Sequence, residues 1–342
     1  MTESGGGPAT TARRRVDLRD HAEEVVRAAR WAPSLHNAPP WAFRIGPAEV
    51  EVYADRGRRV PVADPEDRQL FLGVGAAVFG VRSALAHLGL RPVVRLAREP
   101  TRPDLAAVVV AAGPAGTADT QEYRALYPQL GRRRTVRGPF TDDAVPVPLQ
   151  VRLTEVARRE CVTARWLVHR DARQVLAGIV LAAERERRSD PAFRAELAYW
   201  TGPEAARDGS GIPAESLRGA ARFAGSGAQF ALRDFPGGES TPAPPEAHPG
   251  IVALGTPTDR RADWLRAGQA LHHLLLVAAA GGCAASYLNQ PLELPHLRSR
   301  VRAELRLLDH PQLILRIGRP AGPQPPPTAR RPVADLLLAG SS

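Results

Sequence analysis

The stretch ARWAPSLHNAPPWAF runs from Ala29 to Phe43. It enters as the end of a helix and is stopped by Pro33, whose ring also turns Ala32 away from helical geometry. A serine, a histidine and an asparagine then stand between Trp31 and Trp41, ahead of the pair Pro39-Pro40. A polar segment punctuated in this way is a loop, and loops held by a rigid scaffold carry function disproportionately.

Outward from this loop the pattern alternates between helix and strand. A helix is expected over Asp20–Trp31. VEVYAD from Val50 alternates as a strand, and PEDRQLFLGVGAAVFGVRSALAHLGL from Pro65 reads as a long helix with Leu70, Val74, Val78, Val81, Leu85 and Leu88 on one face. RPVVRLA and LAAVVVAA read as strands. Later, TARWLVHR reads as a strand, Asp171–Arg188 as a helix, GIVALGT as a buried strand, and DWLRAGQALHHLLLVAAAGGCAAS as a second long helix. Laid side by side, the two long helices align Gly75 with Gly268 and Gly89 with Gly282, the same offset of 193 (268 − 75 and 282 − 89). Two copies of one α+β unit are therefore expected. The corresponding divisions are a frayed arm at 1–15, a first unit at 16–116, a junction at 117–150 and a second unit at 151–342. The Gly/Pro-rich run Phe223–Pro249 is long enough for a lid.

Composition narrows the function. With 342 residues and 44% apolar content the chain can bury a sizeable core. Its net charge of +10 comes from 46 basic residues that are all arginine and are scattered along the chain, which with 5% aromatics argues against nucleic-acid binding. Cys161 and Cys283 lie far apart and make no metal-ligand spacing, so no metal is expected and a reducing cytoplasm is the simplest setting. The chain starts with no apolar signal region and its most apolar stretch, Leu271–Leu288, is broken by two histidines and two glycines, so no membrane span is expected.

Several catalytic signatures are absent. GVGAAVFG follows the polar DPEDRQ and carries Val78 where a dinucleotide fingerprint needs its third glycine. There is no GxSxG elbow, and Ser226 sits in the flexible AGSGA. His272 and His273 are adjacent and cannot share a helix face, so at least one is an ordinary surface or packing residue; His296 and His310 read as loop histidines. The run GRRRTVR, Gly131–Arg137, is different, because it can present several guanidinium forks and a hydroxyl together, a donor set that matches phosphate oxygens. A solvated basic loop is the alternative reading. Arg330 and Arg331 in TARRPVADLL form a second basic pair.

These motifs carry a resemblance. APSLHNAPPWAF is similar to the APSxxNxQPWxF loop of the flavin-binding nitroreductase superfamily, RRTVRGPF resembles its R-R-S-x-R-x-F phosphate motif, and ARRPVADLL resembles its C-terminal arginine-proline segment. In ordinary members the arginine motif precedes the APS loop; here it follows. That order, with DWLRAGQAL and NQPLELPHLR, resembles the Acg family of actinobacterial FMN-binding oxidoreductases, over about Ala22 to Leu338. The resemblance implies a nitroreductase-like α+β fold in which two tandem units form an internal pseudo-dimer around one FMN. It implies that Pro33, Ser34 and Asn37 contact the isoalloxazine or ribityl group, and that Arg133, Thr135 and Arg137 hold the phosphate with Arg330 closing the site. The directions of Arg134 and Arg331 stay open. DGSGIP matches a family turn in which the N–H of Gly211 or Ile212 approaches flavin N5. His36, the weak catalytic candidate, either faces the cofactor or substrate space or is an ordinary loop histidine. Trp41 and Phe43 are expected in the core. Pro39 replaces the family glutamine, removing an amide and a backbone donor. The implied function is FMN-dependent oxidation or reduction of a small organic molecule, with NADH or NADPH as a possible donor; FMN storage under a lid is the alternative. A monomer is expected.

Overall fold

The computed structural model describes residues 16–339 apart from 98–99, 207, 218–219, 223–229, 232, 237–239, 243–247 and 249. The expected arm at 1–15 and most of the expected lid at 223–249 lie outside the described residues.

In chain order the helices are α1 (Ala22–Ala29), α2 (Arg68–His87), α3 (Thr117–Leu126), α4 (Gln129–Arg132), α5 (Val147–Arg159), α6 (Arg170–Ser189), α7 (Pro191–Thr201), α8 (Pro203–Ala206), α9 (Arg261–Ala280) and α10 (Pro295–Glu304). The strands are β1 (Trp41–Ile45), β2 (Glu49–Ala54), β3 (Leu90–Leu96), β4 (Leu105–Pro114), β5 (Thr163–Trp166), β6 (Ala220–Arg222), β7 (Ser240–Pro242), β8 (Gly250–Thr256), β9 (Ala284–Tyr287) and β10 (His310–Gly318). The architecture is mixed α and β. One antiparallel sheet has the order β1-β2-β4-β3 and a second has the order β5-β8-β10-β9, while β6 and β7 pair separately in parallel. In each four-stranded sheet the first two strands are neighbours, a 20-residue helix follows the second, and the fourth strand lies inside the third.

Those two long helices, α2 and α9, cross in the middle of the molecule. A Cβ added to Gly75 would stand 2.2 Å from the carbonyl oxygen of Leu265, and one added to Gly268 would stand 2.0 Å from that of Leu72. The contact is reciprocal, because Leu72 and Leu265 are separated by the same 193 residues (265 − 72) as the glycines. Only residues without a side chain let backbones approach so closely. Beyond the helix ends, Gly89 and Gly282 adopt φ of +77° and +73°, the left-handed conformation that terminates a helix.

Sandwiched between α9, α1 and the first sheet, α2 is buried on nearly every side and not on the single face its apolar spacing predicts. It is long and apolar enough to cross a membrane by length and composition, and 89% of its apolar window is buried inside the protein. Both His272 and His273 are buried at this crossing. Trp41 and Phe43, fully buried, belong to β1, a strand that the flanking prolines and its short length hid. Each large apolar side chain removed from water in this core stabilises the fold by about 1.5–3 kcal/mol.

Two segments cross over to dock on the far sheet. The arginine run leaves the first half and bridges in parallel to β9 at Thr135–Ala285, with Val136 N–H donating to Ala285 at 3.0 Å. The C-terminal segment returns to the first sheet, where Leu337 pairs with Phe43 and Leu338 N–H donates to the Phe43 carbonyl at 2.8 Å.

Candidate functional site

The opening loop rests on α2. Ser34 is extended, and a one-turn 3-10 segment Leu35–Asn37 follows with His36 and Asn37 at φ of 51° and 54°. Asparagine tolerates this left-handed region better than most residues, and histidine adopts it at a cost typical of functional loops. Gly73 of α2 lets the loop close down, since a Cβ there would meet Pro40 at 3.3 Å and Ser34 at 3.5 Å.

Opposite the loop stands the arginine run. Where it bridges to β9 its side chains alternate, so Val136 packs with Phe140 and Ala284 while Thr135 and Arg137 face the cavity that Arg133 and Arg134, just before the bridge, also line. The loop, the arginine run, the start of α2, the segment after β9 and the C-terminal segment line that cavity together, enclosing about 1550 Å³ of space that includes its opening to solvent.

The charge in this cavity is unbalanced. Arg133, Arg134 and Arg330 gather near Trp31, over whose ring the Arg330 guanidinium lies at 5.1 Å. Burial, reinforced by Arg133, Arg134 and Arg30, holds Arg330 far below its usual range, at about 9. Burial likewise lowers Arg133 and Arg134. Among the described residues none of these three, nor Arg137, has a carboxylate within ion-pair distance. Arg137 lies toward the other end, 5.1 Å over Phe235, and is lowered to about 10, first by burial and then by Arg233. Arg233 itself is neutralised by Glu293, donating to both carboxylate oxygens at 2.6 and 2.7 Å. Its other nitrogen lies 3.5 Å from His36 Nε2. Burial and the cations Arg233, Arg137 and Arg187 hold the His36 imidazole neutral, well below its usual value.

Buried polar atoms on the same walls have no hydrogen-bond partner among the described residues: Ser34 Oγ, Tyr287 OH, Ser216 Oγ, Gln290 Oε1, and the Nε atoms of Arg133 and Arg330. Leaving such atoms unpaired costs about 1–3 kcal/mol each. The donor set fits a ligand with a dianionic end and a polar, planar body. Phosphate fits the guanidinium group beside Trp31, and the remaining donors and acceptors fit the edges of a heterocycle.

Eight of the nine residues singled out for cofactor binding line this cavity: Pro33, Ser34, Asn37, Arg133, Thr135, Arg137, Ile212 and Arg330. Gly211 does not. The two backbone donors expected near flavin N5 are committed elsewhere, Gly211 N–H to the Asn37 carbonyl at 3.0 Å and Ile212 N–H to Trp200 at 2.8 Å, so neither is free to serve there. Arg134 lines the cavity, whereas Arg331 turns away to Asp55 at 3.3 Å. His36 faces the cavity. Sequence reasoning did not single out Trp31, Gln69, Arg233, Phe235, Tyr287 or Glu293 as lining residues. Of these, Arg233 and Phe235 lie in the segment read as a lid, Trp31 in the opening loop and Glu293 in NQPLELPHLR, whereas Gln69 and Tyr287 carried no signal.

No protein-family model matches the chain. It is 33% identical over 343 residues, 97% of this chain and 95% of the relative, to a Mycobacterium tuberculosis protein named "Putative NAD(P)H nitroreductase Rv3131". It is 32% identical over 327 residues, 93% of this chain and 95% of the relative, to "Putative NAD(P)H nitroreductase acg" of the same organism. A third relative there, "Uncharacterized protein Rv3127", is 30% identical over 92% of this chain and 91% of its own length. At such identity over nearly the whole length, the chain belongs to the nitroreductase superfamily, in its Acg-like branch.

Proposed function

We propose that this protein is an FMN-dependent, nitroreductase-like oxidoreductase of a small organic substrate, with NADH or NADPH as electron donor. One observation carries the reading: buried Arg133 and half-buried Arg134 and Arg330 converge beside Trp31 with no carboxylate to balance them among the described residues. Three guanidinium groups held this close and partly out of water repel one another, and a phosphate dianion converts that repulsion into charge-assisted hydrogen bonds. When bound, FMN supplies the chemistry, accepting and passing on electrons or hydride. The chain's own residues bind and orient. Arg133, Arg134, Thr135 and Arg330 take the phosphate, Ser34 Oγ and Tyr287 OH serve the polar edges of the ring system, and Phe235 bounds the substrate space. His36, held neutral, acts there as an uncharged hydrogen-bonding group.

The same reading takes the two sheets of matching strand order, with their reciprocal glycine contact, as tandem copies of one unit forming an internal pseudo-dimer with a single site. The chain then works as a monomer, and its two unpaired cysteines suit a reducing cytoplasm. The names of the relatives favour reduction over storage of flavin. Anaerobic mixing of the FMN-loaded protein with NADH or NADPH tests this. Bleaching of the flavin absorbance within seconds by either donor is the expected result, and a flavin inert to both would count against the reductase.

A further inference from the structure

We infer that Asn37 is a positioning residue for the phosphate end of the cavity: it sets the guanidinium of Arg330 and does not hold the flavin ring. The inference rests on the cofactor reading above and deepens it.

Hydrogen-bond capacity decides the matter. An asparagine amide has two donor hydrogens and one acceptor oxygen. Nδ2 of Asn37 donates to the Gly211 carbonyl at 2.8 Å and to the Ala329 carbonyl at 3.2 Å, so both hydrogens are in use. Its Oδ1 accepts from Arg330 Nη1 at 2.9 Å. The backbone is engaged too, the N–H with Ser34 at 3.2 Å and the carbonyl with Gly211 at 3.0 Å. No donor on this residue is left for a ligand.

The partners explain what the contact does. Asn37 and Arg330 stand 293 residues apart, on the opening loop and the C-terminal segment. From a third side the turn before Ile212 presses on the same peptide: a Cβ on Gly209, at φ +74°, would stand 2.5 Å from the Arg330 carbonyl carbon. Arg330 is thus fixed through its backbone, through Nη1, which also reaches the Thr328 hydroxyl, and through its stacking on Trp31. Its Nε, buried without a partner among the described residues, is left for an incoming acceptor. Asparagine meets both demands at position 37: it accepts the left-handed backbone, and its amide supplies two donor hydrogens and an acceptor oxygen on one short side chain.

The test is a double-mutant cycle on binding. Purified apoprotein and its Asn37→Ala, Arg330→Ala and doubly substituted variants are titrated with FMN and with riboflavin by flavin fluorescence, with circular dichroism confirming the fold. Arg330→Ala is expected to weaken FMN about ten- to a hundred-fold and Asn37→Ala about ten-fold, with the double variant within about two-fold of Arg330→Ala. Riboflavin, lacking the phosphate, should change less than about two-fold in every variant. Asn37→Asp guards against backbone strain, since aspartate tolerates the left-handed region. Its carboxylate against Arg330 should lower FMN affinity at least about ten-fold and spare riboflavin. Parallel loss of riboflavin in the Asn37 variants, or losses that multiply in the double variant, would overturn this inference alone. A wild-type chain that binds FMN and riboflavin equally would overturn the phosphate reading, and this inference with it.

Discussion

Replacing Gly268 with alanine should destabilise the protein, although alanine is the better helix former. The new Cβ would stand 2.0 Å from the Leu72 carbonyl oxygen and 2.9 Å from both the Leu72 carbonyl carbon and the Ala76 nitrogen. All three are backbone atoms of α2, which cannot swing aside as a side-chain tip can, so the two central helices must part by more than about 1 Å to reach ordinary contact distance. Overpacking of this kind costs typically about 1–3 kcal/mol and more where backbone must move, against about 1 kcal/mol recovered from helix propensity. A net loss of about 2 kcal/mol is expected, read as a lower urea midpoint at unchanged slope. Gly178 in α6 is the control, because nothing lies within 4 Å of a Cβ there, and Gly178→Ala should gain about 0.5–1 kcal/mol. The separation should also weaken flavin binding, since Leu72, Gly73 and Leu271 of the same helices line the cavity. If Gly268→Ala proves neutral or stabilising like Gly178→Ala, the close crossing of α2 and α9 is refuted.

Arg133→Ala should weaken FMN about ten- to a hundred-fold and riboflavin little, whereas Arg137→Ala, at the Phe235 end, should weaken both ligands alike in the same fluorescence titration. Acid should destabilise the fold through the buried histidines. Burial, with Arg133, holds His272 at about 3 against an unfolded value of 6.5, so its contribution is complete above pH 6.5 and is lost as pH falls from there toward 3. Urea stability should drop about 1.4 kcal/mol per pH unit on its account below pH 6.5, and His272→Asn, which keeps a donor for the Ala76 carbonyl, should flatten the slope by about one proton.

Much of the cavity could be read from the sequence because its residues sit in short segments whose chemistry is local. The proline-stopped loop at Ala29–Phe43 and the run Arg133, Arg134, Thr135 and Arg137 announce themselves by type and spacing, and two of the glycines that share the 193-residue offset, Gly75 and Gly268, are the ones that meet at the helix crossing. What stayed hidden depends on tertiary placement. Tyr287 ends β9, and only the docking of the arginine segment along that strand brings Arg133 and Arg137 near it; Glu293 gains its cation from Arg233, 60 residues away in the sequence. The family resemblance made Asn37 a ligand contact; in the folded chain two other segments, the turn at Gly211 and the C-terminal segment, use its amide up. The apolar spacing of α2 fits one face equally well when all faces are covered, since periodicity cannot report a helix buried all round. Arg137, read as one phosphate group with Arg133, lies instead by Phe235, because a strand carries alternate side chains along the cavity and not to a single point.

The central claim is that one chain completes one flavin site from two units, with the loop of the first facing the arginine run that docks on the sheet of the second. Its most direct test is flavin released per chain, quantified by absorbance, alongside sedimentation at falling protein concentration. One FMN per chain, retained by a species sedimenting as a monomer of 36.8 kDa, is the predicted result. Two flavins per chain, or flavin lost in step with dissociation of a dimer, would contradict it.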